Sequence, residues 1–150
     1  MDGVRVNHVS IVSDDFERSI RWYEELFGAE RLPSPDFPEA PVKWLRLGAS
    51  QLHLFQRDIA PPTYHHLALD VPDFNEVYRR AQALGALDPK TFDGAVREHP
   101  AGWVQLYLRD PSGNLVEVDA RSEDVDRSLV TEIVPLTGQE GEAARASLYA

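Results

Sequence analysis

Alternating apolar and polar positions divide residues 4–57 into short strand-like runs around one segment of helical spacing. Residues 4–12 alternate and are rich in β-branched side chains, which predicts a strand, whereas residues 14–27 carry apolar positions at helical spacing. Three more strand-like runs follow at 29–32, 42–47 and 51–55, and the proline-rich stretch 33–41 reads as a loop. The predicted order of this first module is therefore β-α-β-β-β.

The same order returns in residues 64–120, which indicates an internal duplication. The second module reads as a strand at 64–71, a helix at 73–84, a weak strand at 95–99 and two strands at 103–109 and 115–119. Residues 8–16, HVSIVSDDF, align without a gap on residues 66–74, HLALDVPDF. The pattern predicts an α+β fold in which tandem βαβββ modules form a curled mixed sheet around a metal cavity, with the helices outside.

Each predicted helix carries an apolar stripe that we expect to lie on a sheet. The stripe residues are Phe16, Ile20 and Phe27 in the first helix and Phe74, Val77, Ala81 and Leu84 in the second. Gly28 and Gly85 follow these stripes and predict the helix ends.

Period-two alternation decides which side chains share a face of the sheet. In four of the predicted strands one face is aliphatic, and the other carries a single metal-binding side chain near its middle. Those four residues are His8, His53, His66 and Glu117. Their matched positions in the two copies predict a divalent metal held between two half-sites. The same faces predict a substrate pocket lined by Trp44, Arg46, Phe55, Trp103, Gln105 and Tyr107.

The composition indicates a folded protein whose partners are small molecules. The chain has 150 residues, of which 43% are hydrophobic, so it can bury a substantial core. A net charge of −10 argues against binding to nucleic acid or to an anionic membrane. No apolar run is long enough to span a bilayer and the N-terminus lacks a signal-peptide pattern, so the expected location is the cytoplasm.

The lack of cysteine narrows the chemistry, and the tail differs from the modules. With no Cys in the sequence, disulfides, thiolate ligands and a cysteine nucleophile are excluded, so a metal would be held by imidazole and carboxylate. Residues 1–120 are expected to form a single domain, and residues 121–150 an acidic C-terminal extension. Within the extension, 129–134 is strand-like and a short helix is predicted near 140–148.

The duplicated pattern and its ligand-type residues resemble the vicinal oxygen chelate superfamily over residues 4–120. The resemblance rests on His8, on His53 in a central strand, on the run His66-Leu-Ala-Leu-Asp-Val and on Asp110-Pro-Ser-Gly-Asn-Leu-Val-Glu117. That superfamily includes glyoxalase I, bleomycin-resistance proteins, fosfomycin-modifying enzymes, methylmalonyl-CoA epimerase and extradiol dioxygenases. The resemblance implies a homodimer and a metal that presents two adjacent open positions to a substrate with neighbouring oxygen atoms.

One stretch of the second module resembles a narrower group. From His99, six residues lead to Leu-Tyr107, then Leu-Arg-Asp-Pro-Ser-Gly, then three residues to Glu117, which is similar to the ring-cleavage signature of extradiol dioxygenases. The chain departs from that signature at Arg97, where a small or β-branched residue or Asn is preferred. The resemblance implies a dioxygenase acting on a catechol-like substrate chelated through its vicinal oxygens.

The same resemblance implies a role for each ligand-type residue. His8, His66 and Glu117 would hold the metal, with Fe(II) favoured and Mn, Co, Ni or Zn as alternatives. His53 would act as acid or base, and Tyr107 would donate a hydrogen bond to a substrate oxygen. The expected catalytic residues are therefore His53, Tyr107 and His99.

Two other functions stay open. If His53 is a fourth ligand, the metal would act as a Lewis acid in an isomerase, epimerase or lyase of the glyoxalase type. Alternatively, the aromatic residues would line the groove of a non-catalytic protein that binds or sequesters an aromatic compound, as in bleomycin resistance. Metal content separates the binding protein from the enzymes, and oxygen uptake separates the two enzymes.

Overall fold

The computed structural model describes residues 3–136, which form two α-helices and nine strands in the predicted order. The elements are β1 (His8–Ser13), α1 (Phe16–Phe27), β2 (Glu30–Leu32), β3 (Val42–Leu47), β4 (Ser50–Gln56), β5 (His66–Asp70), α2 (Phe74–Ala83), β6 (Val96–His99), β7 (Trp103–Arg109), β8 (Leu115–Arg121) and β9 (Ile133–Pro135). The tandem βαβββ fold is confirmed. The chain divides into two compact units, one of residues up to 65 with 110–114 and one of residues 66–109 with those from 115 onward.

The first unit contains a four-stranded mixed sheet in the order β1-β4-β3-β2. β1 runs parallel to β4, and the other neighbours are antiparallel. Leu45 lies opposite Leu52 in the register, and both are fully buried with Leu54. Helix α1 contacts β3. One face of this sheet is therefore aliphatic and packed, as the alternation predicts.

The second unit contains a five-stranded mixed sheet in the order β5-β8-β7-β6-β9. β5 is parallel to β8, β7 is antiparallel to both β6 and β8, and α2 contacts β8. The buried aliphatic residues of its central strands are Val104, Leu106, Leu108, Val116 and Val118. Between residues 3 and 136, neither helix has the length and apolar content needed to cross a membrane.

Both helices begin with an aspartate N-cap at matched positions of the two modules, in agreement with the duplication. The Asp15 carboxylate accepts a hydrogen bond from the backbone N–H of Arg18 at 3.1 Å, and that of Asp73 accepts one from Glu76 at 2.9 Å. Gly28 then ends α1 with φ 64°, a left-handed conformation that suits glycine.

The buried faces of the helices differ in part from the predicted stripes. Ile20 is buried as predicted, whereas Phe16 and Phe27 are half-buried. The other residues that α1 buries are Ser19, Trp22, Tyr23 and Leu26. In α2, Phe74, Val77 and Ala81 are buried as predicted, together with Tyr78. Leu84 is 42% exposed at the C-cap of the helix, so its expected place on the buried stripe is wrong.

Part of the acidic extension adds a strand to the second sheet. β9 pairs in parallel with β6, with Val96 opposite Ile133, and the Leu136 N–H donates to the Glu98 carbonyl at 2.8 Å. The strand predicted at 129–134 is therefore present but begins later. The helix predicted near 140–148 lies outside the described residues.

The turn at 110–114 is held by a buried carboxylate within the first unit. Asp110 accepts hydrogen bonds from the Tyr23 hydroxyl at 3.1 Å and from the backbone N–H of Asn114 at 2.8 Å. It also accepts from the Ser112 N–H at 2.9 Å, and the Asn114 amide donates to the Val12 carbonyl at 2.8 Å. Burial raises the pKa of Asp110, whereas these donors favour its charged form. The geometry identifies Asp110 as a turn residue.

We expect Asp110→Ala to lower the free energy of unfolding by about 2–4 kcal/mol, because several buried donors lose their acceptor together. Urea denaturation followed by circular dichroism measures the change. Asp36→Ala, an exposed aspartate in the loop before β3, is the matched control and should change stability by less than about 0.5 kcal/mol. Equal effects of the two substitutions would contradict the importance of this turn.

Candidate metal and substrate site

Glu117 lies at the centre of a polar cluster on one face of the second sheet. Its side chain is 6% exposed, and its Oε2 atom lies 2.9 Å from Nε2 of His66. Gln105 on the neighbouring strand donates a short hydrogen bond to the other oxygen of Glu117. Strand β8 thus presents a buried carboxylate to a half-exposed imidazole on β5, and both were predicted as ligands.

Tyr107 and Asp119 complete this cluster. Tyr107 lies opposite Glu117 in the register and shares a hydrogen bond with it. Burial, followed by the Glu117 charge, raises the pKa of the Tyr107 hydroxyl, so it remains a donor near neutral pH. Burial and the Glu117 charge also raise the pKa of Asp119, whose Oδ1 has no partner among the described residues. We refer to His66, Gln105, Tyr107, Glu117 and Asp119 as the Glu117 cluster.

Two residues beside Tyr107 were not predicted for the site. Phe92 stacks on the Tyr107 ring with centroids 3.7 Å apart. The guanidinium carbon of Arg97 lies 5.9 Å from the Phe92 ring centroid. Phe92 is in a loop that Asp88 orders by accepting hydrogen bonds from two backbone N–H groups, those of residues 91 and 92, and from the Arg109 side chain. The period-two alternation could not place Phe92, because it assigns side chains to a sheet face only within strands and Phe92 lies in a loop.

The first unit presents its two predicted ligands in an aromatic stack. The ring of His53 lies between those of His8 and Trp44, with centroid distances of 4.3 Å and 4.6 Å and interplanar angles of 12°. Trp44 on β3 is opposite His53 in the register. On β1, Ser10 is opposite His53, and His8 lies two residues before Ser10 on the same face. Three adjacent strands therefore place one ring each on the same face, as the alternation predicts.

His53 is held as a neutral imidazole. It is 8% exposed, and burial followed by the charge of His8 lowers its pKa. Its Nε2 lies 2.9 Å from Oε1 of Gln51. Because an amide oxygen only accepts, Nε2 carries the proton in this contact and Nδ1 keeps its lone pair.

The stacking of His8 on His53 bears on which of them can bind a metal. An imidazole binds a metal through a lone pair that lies in the plane of the ring. Two rings stacked 4.3 Å apart and within 12° of parallel direct their lone pairs in nearly parallel planes, not toward a common point. This arrangement disfavours ligation of one metal ion by both rings, and the choice of His8 as the ligand stays a prediction.

The remaining predicted residues have varied surroundings. His99 is buried, stacks on Trp103 with centroids 4.5 Å apart, and accepts the Ala101 N–H at its Nδ1, so it stabilises the β6–β7 turn. Arg46 is exposed and paired with Glu30. Phe55 is half-buried on β4. Catalysis by His99, and contact of Arg46, Phe55 and Trp103 with substrate, stay predictions.

The four predicted ligands form two pairs, one in each unit. His8 and His53 belong to the first unit, and His66 and Glu117 to the second. Within residues 3–136, no three His, Asp or Glu side chains group closely enough to hold a metal ion. The meeting of both pairs at one metal therefore stays a prediction.

Comparison with known proteins identifies the family. A model of the Glyoxalase/Bleomycin resistance protein/Dioxygenase superfamily matches residues 5–118. The chain belongs to this superfamily. The matched segment agrees with the residues 4–120 over which the sequence resembles it, and covers both βαβββ modules.

One curated relative and two solved structures are similar to this chain, and the structures share its fold. The protein YwbC of Bacillus subtilis (strain 168) is 26% identical, in a match covering 75% of this chain and 94% of YwbC. A variant of the fosfomycin resistance protein FosX from Listeria monocytogenes, complexed with Mn(II) and 1S,2S-dihydroxypropylphosphonic acid, has a TM-score of 0.66 at 19% identity, covering 81% of this chain and 94% of FosX. Oxidase ChaP-H2 has a TM-score of 0.65 at 22% identity, covering 79% of this chain and 94% of that protein.

The Glu117 cluster fits one side of the metal site that glyoxalase-superfamily membership implies. Two neighbouring ligand atoms of an octahedral ion with bonds of about 2.1 Å are about 3.0 Å apart. His66 Nε2 and Glu117 Oε2 are 2.9 Å apart, so both can bind one ion without rearrangement of their strands. Gln105 holds the other carboxylate oxygen and Tyr107 also shares a hydrogen bond with Glu117, as supporting hydrogen bonds do at metal sites.

Proposed function

We propose that this protein is a metal-dependent, extradiol-type dioxygenase that cleaves a catechol-like substrate bound through its two adjacent oxygen atoms. The observation that carries the proposal is the His66–Glu117 pair, whose ligand atoms are 2.9 Å apart and share a sheet face with Tyr107. One imidazole and one carboxylate supply two ligands of the set of two His and one carboxylate that holds non-haem Fe(II). His8 is the proposed third ligand.

Fe(II) in this site would supply open coordination positions for the catecholate and O₂ and the redox chemistry that joins them. The residues of the chain would then handle protons and orientation. Tyr107 keeps its hydroxyl proton near neutral pH, and once its hydroxyl turns away from Glu117 it can donate that proton in a hydrogen bond to a substrate oxygen. His53, neutral and with a free Nδ1 lone pair, can accept the proton that a catechol hydroxyl releases.

The aromatic side chains around these groups support a planar substrate. Trp44 and His53 stack in the first unit, and Phe92 and Tyr107 stack in the second. Such surfaces bind flat rings through area and quadrupole contacts. The structural similarity to oxidase ChaP-H2 is consistent with oxygen chemistry on this fold.

Oxygen uptake by the Fe(II)-loaded protein tests the proposal. We expect consumption of one O₂ per catechol, with both oxygen atoms incorporated into a ring-opened product. Fe(II) at about 100 times its Kd should stabilise the folded protein by about 2.7 kcal/mol, which corresponds to about 5–10 °C in Tm. A protein without stoichiometric metal and without this gain in Tm would be a binding protein instead.

A non-redox reaction of the glyoxalase type is the second candidate, favoured by Mn(II) in the FosX structure, because Mn(II) also serves as a Lewis acid. Turnover supported only by Ni(II) or Co(II), without O₂ consumption, would replace the dioxygenase proposal with this one.

A further inference from the structure

Arg97 lies on the same sheet face as the Glu117 cluster, at the residue where the sequence departs from the ring-cleavage signature. It is opposite Gln105 across β6 and β7, and Gln105 is in turn opposite Asp119 on β8. Gln105 also donates to Glu117. The row Arg97-Gln105-Asp119 therefore runs beside the pair formed by Tyr107 and Glu117, so Arg97 and the proposed ligands share one surface.

The guanidinium of Arg97 makes few of the hydrogen bonds that it can make. A guanidinium has five N–H donors. One nitrogen donates to the Phe92 carbonyl at 3.2 Å, and the nearest carboxylate oxygen, from the 81% exposed Asp93, is 3.6 Å from that nitrogen. The Nε atom is shielded from solvent and has no acceptor among residues 3–136. A partly buried cation thus keeps at least one shielded donor, the Nε–H group, without an acceptor among these residues.

Arg109, on the neighbouring strand, shows the contrast. Its side chain donates to Asp88 at 3.1 Å and to Thr91 at 2.9 Å, and Asp88 is almost fully buried. Arg109 is therefore neutralised by the protein itself, whereas the carboxylate that lies near the Arg97 guanidinium within residues 3–136 is that of the exposed Asp93, beyond hydrogen-bond distance. A buried donor without an acceptor is unfavourable and is expected to gain one from a ligand.

The surroundings of Arg97 indicate what kind of ligand that is. Its guanidinium lies over the Phe92 ring, which stacks on Tyr107, so a flat aromatic body is accommodated beside the cation. Arg97 supplies a positive charge for an acidic substituent at the β6 side, whereas the proposed metal would bind the adjacent substrate oxygens beside Glu117.

We propose that Arg97 binds an oxyanion, a carboxylate or a phosphonate, carried by an aromatic substrate whose adjacent oxygens occupy the Glu117 side of the site. This inference rests on the proposed function and adds the substrate class: catechols or related rings that bear an acidic substituent. Arg97 is a specificity residue, since it contacts a part of the substrate that does not react.

Isothermal titration of the full-length protein with benzoate, phenylphosphonate and the neutral analogue benzamide tests this assignment without turnover. We expect at least one of the two anions to bind about tenfold or more tightly than benzamide, as for hydrogen bonds to a charged group. Whichever anion binds better identifies the substituent. Arg97→Gln should remove the preference, and Arg97→Lys should retain part of it. Arg79→Gln, an exposed arginine of α2, is the matched control and should retain it fully.

Equal binding of all three probes, or a preference that survives Arg97→Gln, would overturn the assignment. If Arg97→Gln does not fold, Arg97→Lys provides the test. Because lysine lacks the planar guanidinium with its bidentate donors, this substitution has to weaken anion binding more than benzamide binding. Metal content and oxygen uptake, measured in parallel, distinguish the two proposals. Oxygen uptake without anion preference refutes only the Arg97 site, whereas a protein that binds no metal refutes the chelating function and the substrate class together.

Discussion

Glu117→Gln is expected to weaken metal binding by about 100-fold or more. Loss of a residue that merely supports a ligand lowers metal affinity by about 10–100-fold, so loss of a ligand's charge should reach at least the upper end. The 2.9 Å contact with His66 would persist as a hydrogen bond, but a neutral amide is a poor ligand for a divalent ion. Titration of the apoprotein with Fe(II) under anaerobic conditions, followed by Tm, measures the affinity.

The glutamine side chain introduced by Glu117→Gln has the same shape as glutamate and keeps one oxygen as an acceptor for the donors Gln105 and Tyr107. The fold should therefore be preserved. Glu98→Gln is the matched control. Glu98 lies on β6 of the same sheet but pairs with Arg127, and its substitution should leave metal affinity unchanged. A Glu117→Gln protein that binds Fe(II) as tightly as the parent would exclude Glu117 as a ligand, and the dioxygenase proposal with it.

The fold could be predicted in most respects. In the strands, burial follows the period of the sequence pattern, and the helix starts are marked by capping residues. The strands at 42–47 and 103–109 have the predicted bounds, and Asp15 and Asp73 cap the helices at matched positions. The helix faces were less predictable. Tyr23 is fully buried although it carries a hydroxyl, because Asp110, distant in the sequence, accepts its hydrogen bond. A stripe counted from apolar residues alone cannot include such a contact.

In the candidate site too, the residues on strands could be predicted from the local sequence pattern, whereas those placed by tertiary contacts could not. Alternation placed His53 on the face of Trp44, and Glu117 on that of Tyr107, as the strand registers have them. It gave no information on the loop residue Phe92, whose position depends on the buried Asp88. Arg97 had one sequence signal, its departure from the ring-cleavage signature, but the lack of an acceptor at Nε is visible only in the structure.

His53→Ala is expected to lower kcat by about 10²–10⁴-fold while Fe(II) affinity stays within about threefold. The reason is geometric: the ring of His53 is stacked between those of Trp44 and His8, so the lone pairs of the two imidazoles lie in nearly parallel planes and do not converge on one metal. Removal of the ring would delete the proton acceptor and leave the proposed ligands His8, His66 and Glu117 in place. Stopped-flow turnover and metal content, measured on the same preparation, give the two quantities.

Added imidazole sharpens this test, because it can occupy the gap left between the two flanking rings and restore part of the rate. His65→Ala is the matched control, since His65 is exposed and precedes a proposed ligand without being one. It should change kcat by less than about threefold. If His53→Ala instead loses metal, and imidazole restores metal binding along with turnover, His53 is a ligand. The set of three His and one Glu would then favour Lewis-acid chemistry of the glyoxalase type over ring cleavage.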